Sequence, residues 1–244
     1  MKKLFLIVCI FFLGGTTMAA DNNFATDIFK TNQGDLAITF IGHGTLMISF
    51  DRKTIYIDPV SQYADYGKLP KADLILITHE HSDHFDIQAL AAVKTEKTVF
   101  LTTEIVARKI PGSFILKNGD EKTVQGIKIE AVPAYNIVHM RSPGTPFHPR
   151  GTGNGYVITC ADKHIYVAGD TENVPEMKNL RNIDIAFLPM NIPYTMTPEM
   201  VADATRAFQP GILYPYHYGN TDAQKLIELL KSEKNIEVRI RKMM

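Results

Sequence analysis

Leu74-Ile75-Leu76-Ile77-Thr78-His79-Glu80-His81-Ser82-Asp83-His84 joins a short, wholly apolar run to three histidines and two acids. The run Leu74 to Ile77 has no polar alternation, as expected of a strand covered on both faces. Its polar continuation reads His79-x-His81-x-Asp83-His84. In extended chain, residues i and i+2 point to one side with Cα atoms about 6.6 Å apart. Two imidazoles at that spacing can converge on one ion at bonds of about 2.0–2.1 Å. Once the chain turns, Asp83 and His84 can face a neighbouring point and hold a second ion. Sites of α/β proteins gather at strand ends, and this motif stands at one.

Upstream, Lys2 and Lys3 precede an unbroken apolar run from Leu4 to Leu13, then small residues through Met18-Ala19-Ala20. This is the layout of a secretory signal peptide over residues 1–20, leaving a domain over 21–244 and a periplasmic or secreted location. Ten apolar residues are too few to cross a hydrocarbon core, which needs about 20, so no membrane span is expected after cleavage. Without Lys2 and Lys3 the chain carries 24 basic against 26 acidic residues, which gives no basic surface for nucleic acid. With Cys9 in the signal, Cys160 stands alone and the fold holds without an internal disulfide. Cys160 lies in the apolar Tyr156 to Cys160 and reads as a buried, inert thiol.

Outward from the motif, short β-like runs follow one another: Leu36 to Phe40, Thr45 to Phe50 and Thr54 to Ile57, separated by Gly42-His43-Gly44 and Asp51-Arg52-Lys53. Residues 21–34 are polar and read as a loose lead-in. Helices are expected over 87–95 and 103–109. Strands return over Phe114 to Leu116, Lys122 to Val124, Ile127 to Pro133, Tyr156 to Cys160, His164 to Val167, Ile183 to Leu188, Ile212 to Tyr216 and Glu237 to Ile240. Thr197-Pro198-Glu199 starts a helix to about Phe208. Thr221 with Gln224 matches a capping box for a helix to about Lys231. Numerous strands with few helices suit an α/β architecture of two packed sheets with helices outside.

Further chemistry stands at other strand ends. Asp170 follows Tyr166-Val167-Ala168-Gly169 and can bridge two cations, or cap a helix beginning at residue 171. His217 follows Ile212 to Tyr216. His43, between two glycines, either lines the site or hydrogen-bonds a turn. Asp58 reads as a residue that orients a histidine of the site. His164 reads as structural. Gly151-x-Gly153-x-Gly155 precedes a strand and opens no helix, so it is no dinucleotide loop. Tyr194-Thr195-Met196 reads as a connecting loop, with shaping of a substrate pocket as the other possibility. No Gly-x-Ser-x-Gly elbow is present.

Taken together, these motifs resemble the metallo-β-lactamase fold superfamily over about residues 36–240: His79-x-His81-x-Asp83-His84, Gly169-Asp170-Thr171 and Tyr216-His217-Tyr218-Gly219, in that order. Phe40-Ile41-Gly42-His43-Gly44 and Ile57-Asp58-Pro59 look like the branch similar to ascorbate-lactone hydrolases and N-acyl-phosphatidylethanolamine phospholipases. The resemblance implies a four-layer αββα sandwich. It implies one metal on His79 and His81, a second on Asp83, His84 and His217, and Asp170 bridging, with zinc as the metal, two ions in number, and manganese or iron as alternatives. It implies hydrolysis of an ester, lactone, amide or phosphodiester in a small-molecule or lipid-like substrate. A metal-bound hydroxide would be the nucleophile and Asp83 the residue orienting it. One position departs from the pattern. Where the family places a histidine after the strand ending at Pro133, this chain has Asn136. Asn136, His139 and His148 are the candidates to complete the first site. His148 is preferred because Pro149 and Gly151 beside it can fix a tight loop. An iron-dependent oxidoreductase on the same donors and a catalytically silent metal-binding protein are the rival functions.

Overall fold

The structure is a computed structural model that describes residues 24–243. The expected signal segment, 1–20, lies outside the described residues. The first sheet takes, in chain order, β1 (Thr26–Thr31), β2 (Gly34–Gly42), β3 (Thr45–Phe50), β4 (Lys53–Ile57), β5 (Leu74–Leu76), β6 (Val99–Thr102) and β7 (Phe114–Ile115). After β8 (Glu121–Val124) and β9 (Ile127–Ala134) comes a separate hairpin, β10 (Met140–Ser142) with β11 (Thr145–Pro146). Then follow β12 (Gly153–Cys160), β13 (Lys163–Val167), β14 (Ile185–Pro189), β15 (Ile212–Tyr216) and β16 (Glu237–Val238). The second sheet runs β16-β15-β14-β13-β12-β9-β8. Each sheet is an antiparallel meander that turns parallel, from β4 onward in the first and from β13 onward in the second. Parallel neighbours need a crossover. The helices α1 (Ile87–Val93), α2 (Glu104–Ala107), α3 (Pro198–Phe208) and α4 (Gln224–Leu230) lie in such crossovers.

Strand periodicity sorts the side chains into layers. Leu36, Ile38, Leu46, Ile48, Ile55, Ile57, Leu74 and Leu76 join a core shared with Ile129, Tyr156, Ile158 and Ile165 of the second sheet. The alternate residues Met47, Tyr56, Ile75 and Ile77 face away, toward Ala89, Leu90 and Val93 of α1 and Val106 of α2. The apolar run Leu74 to Ile77 is therefore covered on both faces, as its sequence requires. On the far side, Phe208 of α3 meets Tyr166 of β13 edge-on, with ring centroids 5.8 Å apart. The four-layer αββα sandwich is thus the fold of this chain.

Three local expectations need correction. Residues 26–31 are no loose lead-in but an edge strand, paired with β2 from Thr26–Thr39 to Thr31–Gly34. Its polar composition reflects an edge that faces water. The capping box at Thr221 does not form: Ala223 precedes α4 without a side-chain cap, and Asp222 Oδ1 accepts from Gln224 N at 2.9 Å instead. No helix starts at 171. The chain continues irregularly to a 3-10 turn at Pro175–Asn179, because the Asp170 and Glu172 carboxylates have other partners. Thr197 does cap α3, accepting from Met200 N at 3.1 Å. Cys160 is fully buried, and burial pushes its thiol up to about 12.

Candidate metal centre

The chain leaves β2, β4, β5, β9, β13 and β15 at one rim of the sandwich, and each exit supplies a side chain to one cluster. Three overlapping groups of donors have ligand atoms within 4.8 Å of one another: His79, His81 and His148; His79, His84 and Asp170; and His43, Asp83, His84 and His217. All seven residues expected as ligands are brought together. His148 joins His79 and His81, whereas His139 and the Asn136 amide do not.

The distances fit a metal. Tetrahedral shells with bonds of about 2.0–2.1 Å hold neighbouring donors roughly 3.3–3.4 Å apart. His148 Nε2 lies 3.2 Å from His81 Nδ1 and 3.3 Å from Asp170 Oδ2. His84 Nε2 lies 3.3 Å from Asp170 Oδ1. His217 Nε2 is 3.4 Å from Asp170 Oδ2 and 3.3 Å from Asp83 Oδ2. His79 Nε2 stands 3.8 Å from Asp170 Oδ2. Asp170 thus touches both halves of the cluster.

The hydrogen bonds behind the cluster fix the rings. Asp58 accepts from Thr78 N at 2.8 Å, from Thr78 Oγ1 at 2.6 Å and from His84 Nδ1 at 2.7 Å. Having given its own proton to Asp58, Thr78 Oγ1 accepts from His79 Nδ1 at 2.9 Å. Both imidazoles therefore turn Nε2 toward the cluster. There His79 Nε2, His84 Nε2 and Asp170 Oδ1 are buried with no hydrogen-bond partner. Unpaired buried polar atoms of this kind call for an explanation, and lone pairs converging at these distances suit a cation between them. Burial holds the His79 imidazole well below its ordinary pKa and lowers His81 with help from His148, so both are neutral, the form a metal needs. Burial alone would raise Asp170. The neighbouring His217 and His84 outweigh it and hold the carboxyl well below the usual range.

Asn136 has a different part from the one its position suggested. Its Oδ1 accepts from His148 Nδ1 at 2.6 Å and from His148 N at 3.0 Å. Where the family's histidine was expected, this chain carries the residue that orients His148, whose Nε2 faces His81 and Asp170. His139 turns outward from the cluster and gives its Nδ1 proton to Glu172 Oε1 at 2.6 Å. Glu172 was missed as a functional residue. Fully buried, it accepts from the backbone N–H groups of Ile137, Val138 and His139 at 2.7 Å each and from Asn136 Nδ2 at 3.1 Å. The only sequence signal was an acid two residues after Asp170.

His43 lines the site. Its Nε2 donates to Asp83 Oδ2 at 3.1 Å, and its carbonyl accepts from His217 N at 3.0 Å. His43, Asp58 and His217 all have φ near +50°, a conformation that costs a non-glycine residue about 1–3 kcal/mol and clusters at functional sites. Gly44 leaves room for His84: a Cβ there would lie 2.7 Å from His84 Cε1. Tyr194 lines the larger recess above the cluster, so reading its segment as a mere connection falls short. His164 sits apart, 3.6 Å from Asp184. No helix among the described residues is long and apolar enough to cross a membrane.

Fold and site together define a metal-dependent protein of the αββα class. The family model described as Beta-lactamase superfamily domain matches residues 37–217, and the chain belongs to that family. Its relatives there include the UPF0173 metal-dependent hydrolase of Thermococcus onnurineus (strain NA1), 34% identical over 193 residues, which span 74% of this chain and 84% of that one. Among solved structures, a protein of Parabacteroides distasonis ATCC 8503 described as a metal-dependent hydrolase is 51% identical, with a TM-score of 0.87 over 91% of this chain and 100% of that one. CmlA, a diiron β-hydroxylase from Streptomyces venezuelae, is 15% identical, with a TM-score of 0.68 over 88% of this chain and 54% of that one. At that identity it shares the fold alone.

Proposed function

We propose that this chain hydrolyses an ester, lactone, amide or phosphodiester at a pair of zinc ions. His79, His81 and His148 would hold one ion, Asp83, His84 and His217 the other, with Asp170 shared. The observation that carries this reading is the convergence of the seven donors around Asp170, among which His79 Nε2, His84 Nε2 and Asp170 Oδ1 are buried without a partner. When bound, such a pair lowers the pKa of a coordinated water from 15.7 to about 7 and stabilises negative charge forming on carbonyl or phosphoryl oxygen.

The chain's own residues provide the rest. Asp58 and Thr78 hold His84 and His79 in the donating orientation, and Asn136 does the same for His148. Asp83, half-buried and lining the larger recess, orients the attacking water by accepting its hydrogen bond. Burial alone would raise Asp83, but His217 and His43 outweigh it and hold the carboxyl far below its usual range. It therefore stays a carboxylate, an orienting acceptor and not a proton store. Zinc-loaded protein should turn over at least one member of an ester, lactone, amide and phosphodiester panel. Asp83→Asn should lose about 10²-fold in kcat, the scale of losing a positioning contact. Equal turnover by wild type and variant would refute the assignment.

An iron-dependent oxidation is the second reading, favoured by a donor set of imidazoles and carboxylates that also suits iron. Oxygen uptake by iron-loaded protein, with no panel member hydrolysed, would establish it instead. The apolar Leu4 to Leu13 run supports export to the periplasm or beyond. An N-terminus at Ala20 or Asp21 in the mature protein is the expected mass-spectrometric result.

A further inference from the structure

Two recesses open beside the cluster beneath the β10–β11 hairpin, about 550 Å³ and about 190 Å³ in volume. Arg141 lines both and is the only lysine or arginine among the described residues to do so. None of the ion pairs among the described residues involves it, and its guanidinium lies 5.9 Å from the Phe147 ring centroid. Phe147 meets Tyr194 edge-on across the mouth, with centroids 5.1 Å apart. Of the ten large apolar residues exposed among the described residues, five fall on two short segments, Ile137, Val138 and Met140 on one, just before Arg141, and Ile192 and Tyr194 on the other, and Tyr194 lines the larger recess. Val138 is the most open, at 67%.

This apolar rim is held in place. Glu172 takes the N–H groups of Ile137 and Val138, and Asn136 Nδ2 donates to Tyr194 O at 3.0 Å, tying the segments together. Apolar surface concentrated around a cleft and fixed there marks a ligand groove. Each recess is lined by two carboxylates, Glu80 and Asp170 in the smaller and Asp83 and Asp170 in the larger. Asp83 and Asp170 are proposed to hold metal, which leaves Glu80 as the free carboxylate that disfavours an anion in the smaller recess. Arg141 together with Tyr194 favours the larger one.

We propose that the mouth selects an anionic substrate with an apolar arm. The Arg141 guanidinium takes the anionic group, and Phe147 and Tyr194, which line the larger recess, take the arm. This specificity rests on the hydrolase reading only in taking the cleft above the metals as the substrate cleft.

Linear alkyl sulfonates test it, because a sulfonate is a permanent anion and a poor metal ligand. Calorimetry on the metal-loaded full chain, below micellar concentrations, should show affinity rising roughly two- to fourfold per methylene from propane- to octane-1-sulfonate. Uncharged 1-octanol should bind about tenfold more weakly than octane-1-sulfonate. Arg141→Gln should weaken octane-1-sulfonate about tenfold or more, with partial recovery in Arg141→Lys. Phe147→Ser with Tyr194→Ser should flatten the chain-length series. Equal affinity for propane- and octane-1-sulfonate, or undiminished binding by Arg141→Gln, would overturn the proposal. So would capture by anionic phospholipid vesicles without binding of the monomeric sulfonate. Binding is read without turnover, so a protein that binds as expected but hydrolyses nothing keeps this specificity and loses the hydrolase reading.

Discussion

At the residue scale, the centre depends on side chains that aim other side chains. Replacing such an orienting partner typically weakens metal affinity about 10–100-fold. Asn136→Ala should therefore lose affinity in that range at the first site, since the His148 ring loses the acceptor that fixes it. His139→Ala should leave metal affinity at the wild-type value, because His139 faces Glu172. Competition with a chromophoric chelator measures both, and the reverse ranking would mean that His139 is the donor. Gly44→Ala should also weaken binding, since its new methyl group would collide with His84. The donors in contiguous motifs were legible in the sequence because their spacing is itself the geometry. Asn136 was not, because its part depends on His148, twelve residues on, folding back across the hairpin. Glu172 was hidden for the same reason: a carboxylate that gathers backbone N–H groups from another segment leaves no pattern in its own.

At the element scale, the Asn136–Met140 segment is shaped by Glu172. Burial alone would raise the Glu172 carboxyl, but the N–H groups of Val138 and His139 outweigh it and hold the pKa below the usual value. Glu172→Ala would strip the acceptor from three N–H groups at once, at roughly 1–3 kcal/mol for each that stays unsatisfied. A loss of about 2–4 kcal/mol in denaturant-measured stability is expected, with faster hydrogen exchange at residues 137–139. Unchanged exchange there would show that the segment holds itself. Most elements were readable from period and turn chemistry. β1 was not, because an edge strand exposes polar residues and its pairing with β2 is a tertiary choice.

At the scale of the whole molecule, the two sheets are also tied away from the metals. Asp27 of β1 accepts from Arg241 Nε at 3.1 Å and from Arg241 Nη2 at 2.9 Å, and the Tyr214 hydroxyl of β15 donates to it. Burial alone would raise Asp27, but Tyr214 and Arg241 outweigh it and hold the carboxyl below its usual value. A carboxyl depressed by folding contributes stability that is complete above its unfolded pKa, near 3.8, and is lost as pH falls through the folded one. Asp27→Asn should therefore be less stable than wild type at pH 6, by about 1–3 kcal/mol, with the difference shrinking below about pH 4. A constant gap across that range would show that the tie is not ionic.

The centre itself unites exits from both sheets, and its central claim is that they hold two ions around Asp170. Equilibrium dialysis against zinc followed by elemental mass spectrometry measures this directly. Wild type should retain two ions per chain, and His81→Ala combined with His148→Ala should retain one. A wild-type chain that retains none, or a double variant that still holds two, would contradict the account.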